Sequence, residues 1–150
     1  MARFSVRVAA PVSEVFDYLA DPRNRPEWQS SLRSVELLTR GELGVGTIWI
    51  DRTSAGVNPR MEIIGFVPPG SPGDEPVTWS EAGEWRGVRA MLTLTFEPAE
   101  DDPSATCVWV VADILSGALW LLPLRAVLRL LAPAAVRSDL KRAARIIESR

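Results

Sequence analysis

Phe4, Val6 and Val8 alternate with Ser5, Arg7 and Ala9, so residues 3–9 carry the period-two signature of a strand with one buried face. Val12, Val15, Phe16 and Leu19 then recur at helical spacing behind Pro11, which suits a first helical turn, and they predict a short amphipathic helix. Asp21-Pro22 ends it, because a residue before proline is pushed out of the helical region, and a second short helix is expected around Trp28. From there to residue 114, apolar runs alternate with turn residues and no helical period intervenes. These runs predict strands over 32–39, 46–53, 59–67, 76–82, 88–97 and 105–114. Links this short join neighbouring strands antiparallel, which predicts a meander that strand one joins, a sheet of about seven strands.

Helix formers dominate from Ala118 to the end of the chain and predict one long C-terminal helix lying across the sheet. Its first half is apolar almost all round apart from Arg125 and Arg129, whereas Arg137, Lys141 and Arg145 share one face of the second half. Pro123 and Pro133 are expected to kink or break it. The segment from Ile114 to Val136 is long and apolar enough to raise the question of a membrane span. Each central arginine would cost about 2.5–3.5 kcal/mol in a bilayer, so we read it as a buried helix. The whole is an α+β chain of one domain over 1–150, with two short helices after strand one. A curved sheet around one helix leaves unfilled volume. Alternation and apolar character nominate Trp28, Ile48, Ile50, Met61, Ile63, Trp79, Leu92, Leu94, Leu119 and Leu122 as its ligand-pocket lining.

Composition narrows the chemistry. Seventeen basic against nineteen acidic residues, a formal charge of -2, give no basic field for a phosphate backbone, so no nucleic-acid partner is expected. The chain contains no histidine, and with it go the commonest general base and every Ser-His or Cys-His nucleophile pair. The single cysteine, Cys107, is expected to be a buried structural thiol and, with no histidine beside it, supplies too few soft ligands for zinc; no metal and no cofactor are expected. Gly41, Gly44 and Gly46 complete no phosphate-binding loop and read as turn residues. The start of the chain lacks a secretory apolar core, so a cytoplasmic location is expected.

The segment Ala10-Pro11-Val12-Ser13-Glu14-Val15-Phe16-Asp17-Tyr18-Leu19-Ala20-Asp21-Pro22, followed by Trp28, resembles the opening of the polyketide cyclase/dehydrase and lipid-transport superfamily, also called SRPBCC or START-like. Gly44-Val45-Gly46-Thr47, Ile63-Ile64-Gly65-Phe66-Val67-Pro68-Pro69 and Leu115-Ser116-Gly117 stand where that family carries similar features, so the likeness spans the chain. The resemblance implies a helix-grip fold, a curved antiparallel sheet around a long C-terminal helix. It leaves function open, because members include binders, carriers and cyclases.

Acid/base work would fall to Tyr18, Lys141 or strand residues that turn inward, the candidates being Asp51, Arg52, Arg60, Glu62, Glu81, Arg89 and Asp113. Tyr18 is expected at the surface. Among six tryptophans, Trp28 and Trp79 are the first choices for the pocket. The leading expectation is binding or transport of a small hydrophobic molecule (lipid, isoprenoid or polyketide-like), with no catalysis. One alternative is a metal-free polyketide cyclase or aromatase. Another is a peripheral membrane or protein-partner module, with Arg125 and Arg129 beside Trp120 meeting anionic lipid. The sequence is silent on homodimerisation.

Overall fold

The computed structural model describes residues 2–116 and 133–150. Strand β1 (Ala2–Val8) leads through helix α1 (Val12–Leu19), a 3-10 turn (Pro22–Asn24) and helix α2 (Arg25–Trp28) to a six-strand meander. The meander comprises β2 (Leu32–Leu37), β3 (Ile48–Thr53), β4 (Arg60–Val67), β5 (Val77–Trp85), β6 (Val88–Pro98) and β7 (Thr106–Ser116). Helix α3 (Pro133–Glu148) follows. The strands form a single antiparallel sheet in the order β1-β7-β6-β5-β4-β3-β2, as the short hairpin links demand. β1 and β2 are therefore the two edges, and α1 and α2 carry the chain from one edge to the other.

Local chemistry sets each boundary. The Pro11 carbonyl accepts the first α1 amides, from Glu14 and Val15. Asp21 is extended (φ -91°, ψ 111°), as the residue before proline must be, and its carboxylate caps the 3-10 turn through the Arg23 amide at 3.0 Å. The β5–β6 hairpin turns on Arg86 and Gly87, with φ of 48° and 81°, the left-handed pair that a two-residue turn needs. Register shifts between Leu32 and Ser34, Ile63 and Gly65, and Arg89 and Ala90 mark bulges, which bend the strands.

One hydrophobic cluster fills the concave side. Phe16 of α1 meets Phe66 and Phe96 edge-on, at 5.4 and 5.3 Å between ring centroids. α3 packs against β1, α1 and α2, burying Leu140, Ala143, Ala144 and Ile147. Tyr18 is buried rather than superficial: its hydroxyl donates to Glu27 at 3.3 Å, and Arg150 stacks over its ring. Burial, reinforced by Glu27, pushes that phenol up to about 12. Cys107 is only half-buried, because strand alternation places it on the outer face of β7, while its neighbours Thr106 and Val108 point inward. The expectations placed on Trp120, Pro123, Arg125 and Arg129 lie outside the described residues.

Candidate functional site

The concave face holds a buried ionic centre. Arg25 enters from α2, Asp51 from β3 and Glu81 from β5, and they are 1, 3 and 5% exposed. The Arg25 guanidinium donates through one terminal nitrogen to Glu81 Oε2 at 2.7 Å and through the other to Asp51 Oδ2 at 3.1 Å. Trp49 Nε1 donates to the remaining Asp51 oxygen at 2.8 Å. The guanidinium also lies 5.5 Å from the Trp49 ring and 5.8 Å from the Trp28 ring, and Trp79 stacks on Trp49 at 6.4 Å.

The folding logic that assembles this centre is local. Strand alternation turns Trp49, Asp51 and Thr53 inward together, and likewise Trp79, Glu81 and Gly83. Glu81 pairs in register with Ile63, while the three-residue spacing of Arg25 and Trp28 puts both on the side of α2 that is buried. Removal from water raises the Glu81 carboxyl to about 7, the Asp51 charge adding to burial and Arg25 opposing it. Burial alone would lower the Arg25 guanidinium, but its two carboxylate partners hold it above the ordinary value.

Two adjoining cavities open beside this centre. One, of about 110 Å³, is walled by Arg25, Asp51 and Glu81 together with apolar residues that include Val57, Met61, Trp85, Val88 and Leu92. The other, of about 340 Å³, runs under α3, bounded by Trp28, Val136, Leu140 and Ala112, with Ser30, Ser31 and Asp139 among its polar wall residues. Gln29, Val57, Glu81 and Leu92 border both, making one chamber of two compartments. At Gly83 a β-carbon would come within 2.7 Å of the Met61 sulfur, so the absent side chain is what seats Met61 in the wall. Asp139 ties α3 to the end of α2 by accepting from the Ser30 amide and hydroxyl at 3.3 and 3.0 Å. Burial holds its carboxyl above the ordinary range despite those two bonds.

Among the described residues, four buried polar atoms have no hydrogen-bond partner: Arg25 Nε, Trp28 Nε1, Trp79 Nε1 and Gln29 Oε1. Such atoms ordinarily find a hydrogen bond, and three of the four belong to Arg25, Trp28 and Gln29, which line the chamber.

Of the residues nominated from sequence, Met61 and Leu92 line the smaller compartment, Leu92 also the larger, and Trp28 the larger. Trp79, Ile63 and Leu94 are fully packed core beside the chamber. Ile48 and Ile50 flank Trp49 on its own strand and pair with Glu62 and Arg60, which places them on the opposite, outer face. Leu119 and Leu122 lie outside the described residues. Among the polar candidates, Asp51 and Glu81 turn inward, whereas Arg52, Arg60, Glu62 and Arg89 stay with the solvated outer face, Arg52 pairing with Glu36 and Arg60 with Glu62. Sequence reasoning missed Arg25 and Gln29. The available signal was the spacing of Arg25 to Trp28, together with the parity that binds Asp51 to Trp49 and Glu81 to Trp79.

An antiparallel sheet gripping a terminal helix over an apolar chamber is the architecture of START-like proteins. The polyketide cyclase/dehydrase and lipid-transport family model matches residues 1–150, and the chain belongs to that family. Solved structures agree on the fold. The di-domain ARO/CYC StfQ from the steffimycin biosynthetic pathway superposes with a TM-score of 0.69 at 18% identity, over 99% of this chain and 45% of StfQ. XoxI from Bacillus cereus gives a TM-score of 0.65 at 10% identity, covering 97% of this chain and 94% of XoxI. A START superfamily protein from Mycobacterium smegmatis gives 0.62 at 15%, covering 99% and 94%. No curated protein sequence matches the chain significantly. No described helix is long and apolar enough to cross a membrane.

Proposed function

We propose that this protein binds a small, mostly apolar molecule in the chamber between sheet and α3, and that the Arg25–Asp51–Glu81 centre with Gln29 fixes the molecule's polar end. The observation carrying this reading is the juxtaposition of apolar walls with buried, unpartnered polar atoms, Arg25 Nε and Gln29 Oε1 among them. Binding without catalysis fits an arginine whose terminal nitrogens are both held by protein carboxylates. Native mass spectrometry of the purified protein, followed by solvent extraction, tests it. A discrete apolar species in stoichiometric amount supports the reading. A bare protein mass, with no thermal shift across a panel of lipids and polyketide-like aromatics, overturns it.

A second reading, cyclase-type chemistry on such a molecule, draws on Glu81. A wall carboxyl raised to about 7 is suited to exchange a proton at neutral pH. Glu81→Gln separates the two readings: it abolishes turnover of a bound polyketide-like substrate if Glu81 is the acid/base, whereas in the pure binder no turnover exists to lose.

A further inference from the structure

The charges in the chamber walls bear on the chemical class of molecule it takes. Among the described residues, the charged groups in the two compartments' walls are Arg25, Asp51, Glu81 and Asp139, one cation facing three carboxylates. Both terminal nitrogens of the cation are engaged, and the side chains of the central three are 2, 5 and 6% exposed, so water screens them little. A ligand carboxylate entering here would add a further anion to a buried site whose cation is already neutralised. Like charges brought together in such surroundings repel one another strongly.

The same walls suit a hydroxyl. Among the described residues nothing donates to Gln29 Oε1, and Glu81 Oε1 accepts from an Arg25 terminal nitrogen only across 3.5 Å, at the limit of a bond, so both have acceptor capacity to spare. Among the described residues, Arg25 Nε and Trp28 Nε1 are donors without acceptors. A hydroxyl both donates and accepts, and serves either set without adding charge.

We infer that the chamber selects a neutral, hydroxyl-bearing apolar molecule over the carboxylate of the same skeleton. This rests on the binding reading above. It runs against the simpler expectation that a buried arginine recruits an acid, because Asp51 and Glu81 have already taken the arginine's charge.

Matched pairs test it by isothermal titration calorimetry on the full chain at mildly alkaline pH, where Glu81 is ionised: 2-naphthalenemethanol against 2-naphthoate, and decanol against decanoate. The alcohol of a pair is expected to bind about tenfold or more tighter than its acid. In Glu81→Gln that ratio shrinks, because the isosteric amide removes one anion and keeps the shape; Asp139→Asn, at the chamber's other end, shrinks it less. Circular dichroism confirms that both variants fold. An acid that binds as tightly as its alcohol, or a ratio indifferent to both substitutions, overturns the inference and leaves the binding reading standing. If no member of either pair binds and the native mass spectrum is bare, the binding reading falls and this inference with it.

Discussion

Arg25 is the residue on which the centre turns. Removing it would strand Asp51 and Glu81 as two buried carboxylates, so Arg25→Met is expected to destabilise the protein by about 3–5 kcal/mol in urea titration. Adding Asp51→Asn and Glu81→Gln should recover much of that loss, because the cost lies in unpaired charge and not in lost packing. Glu81 gives stability a pH dependence of unusual sign for a carboxyl. Its value rises from 4.5 to about 7 on folding, so across that window the folded state holds the proton more tightly than the unfolded chain does. Its contribution is therefore complete below about 4.5, is lost as pH climbs through about 7, and is flat beyond. Denaturation midpoints taken through that range should fall with rising pH in the parent, and the slope should diminish in Glu81→Gln.

At the scale of elements, the strand pair β4–β5 depends on a missing side chain. A β-carbon at Gly83 meets the Met61 sulfur at 2.7 Å, so Gly83→Ala must displace the end of the Met61 side chain, which lines the smaller compartment. We expect a cost of about 1–3 kcal/mol, and a double variant with Met61→Ala less destabilised than the two single effects summed, measured as a double-mutant cycle. α1 seats its edge of the core through Phe16, which is 2% exposed and wedged between Phe66 and Phe96. Phe16→Ala should cost about 3–5 kcal/mol by chemical denaturation. The strands and α1 were legible in the sequence because turn residues and periodicity act locally. Which face of β3 looks inward was not, since Ile48, Trp49 and Ile50 are apolar in succession and offer no alternation to read. The polar residue Asp51, two beyond Trp49, held the parity, but only the packing of Trp49 on Trp79 makes that parity visible.

For the whole molecule, the two compartments meet at Leu92, half-buried on β6 and in the wall of each. Leu92→Trp should fill this junction, abolish the thermal stabilisation that a bound alcohol gives, and leave the unliganded protein's midpoint little changed. At a free ligand concentration of about 100 times Kd the parent gains roughly 2.7 kcal/mol, a shift that differential scanning calorimetry resolves readily. Retained stabilisation in Leu92→Trp would place the ligand elsewhere.

The order of strands and short helices, the antiparallel meander and the apolar character of the concave side follow from the sequence alone, because each depends on periodicities and turn chemistry expressed over a few residues. The family resemblance was readable for the same reason, in motifs made of those local signals. The site was not. Arg25, Asp51 and Glu81 are separated by 26 and 30 positions and look, one at a time, like solvated charges. Tertiary structure alone decides that they share one buried volume, since their pairing depends on how α2 crosses the edge of the sheet and on which face each strand turns toward it.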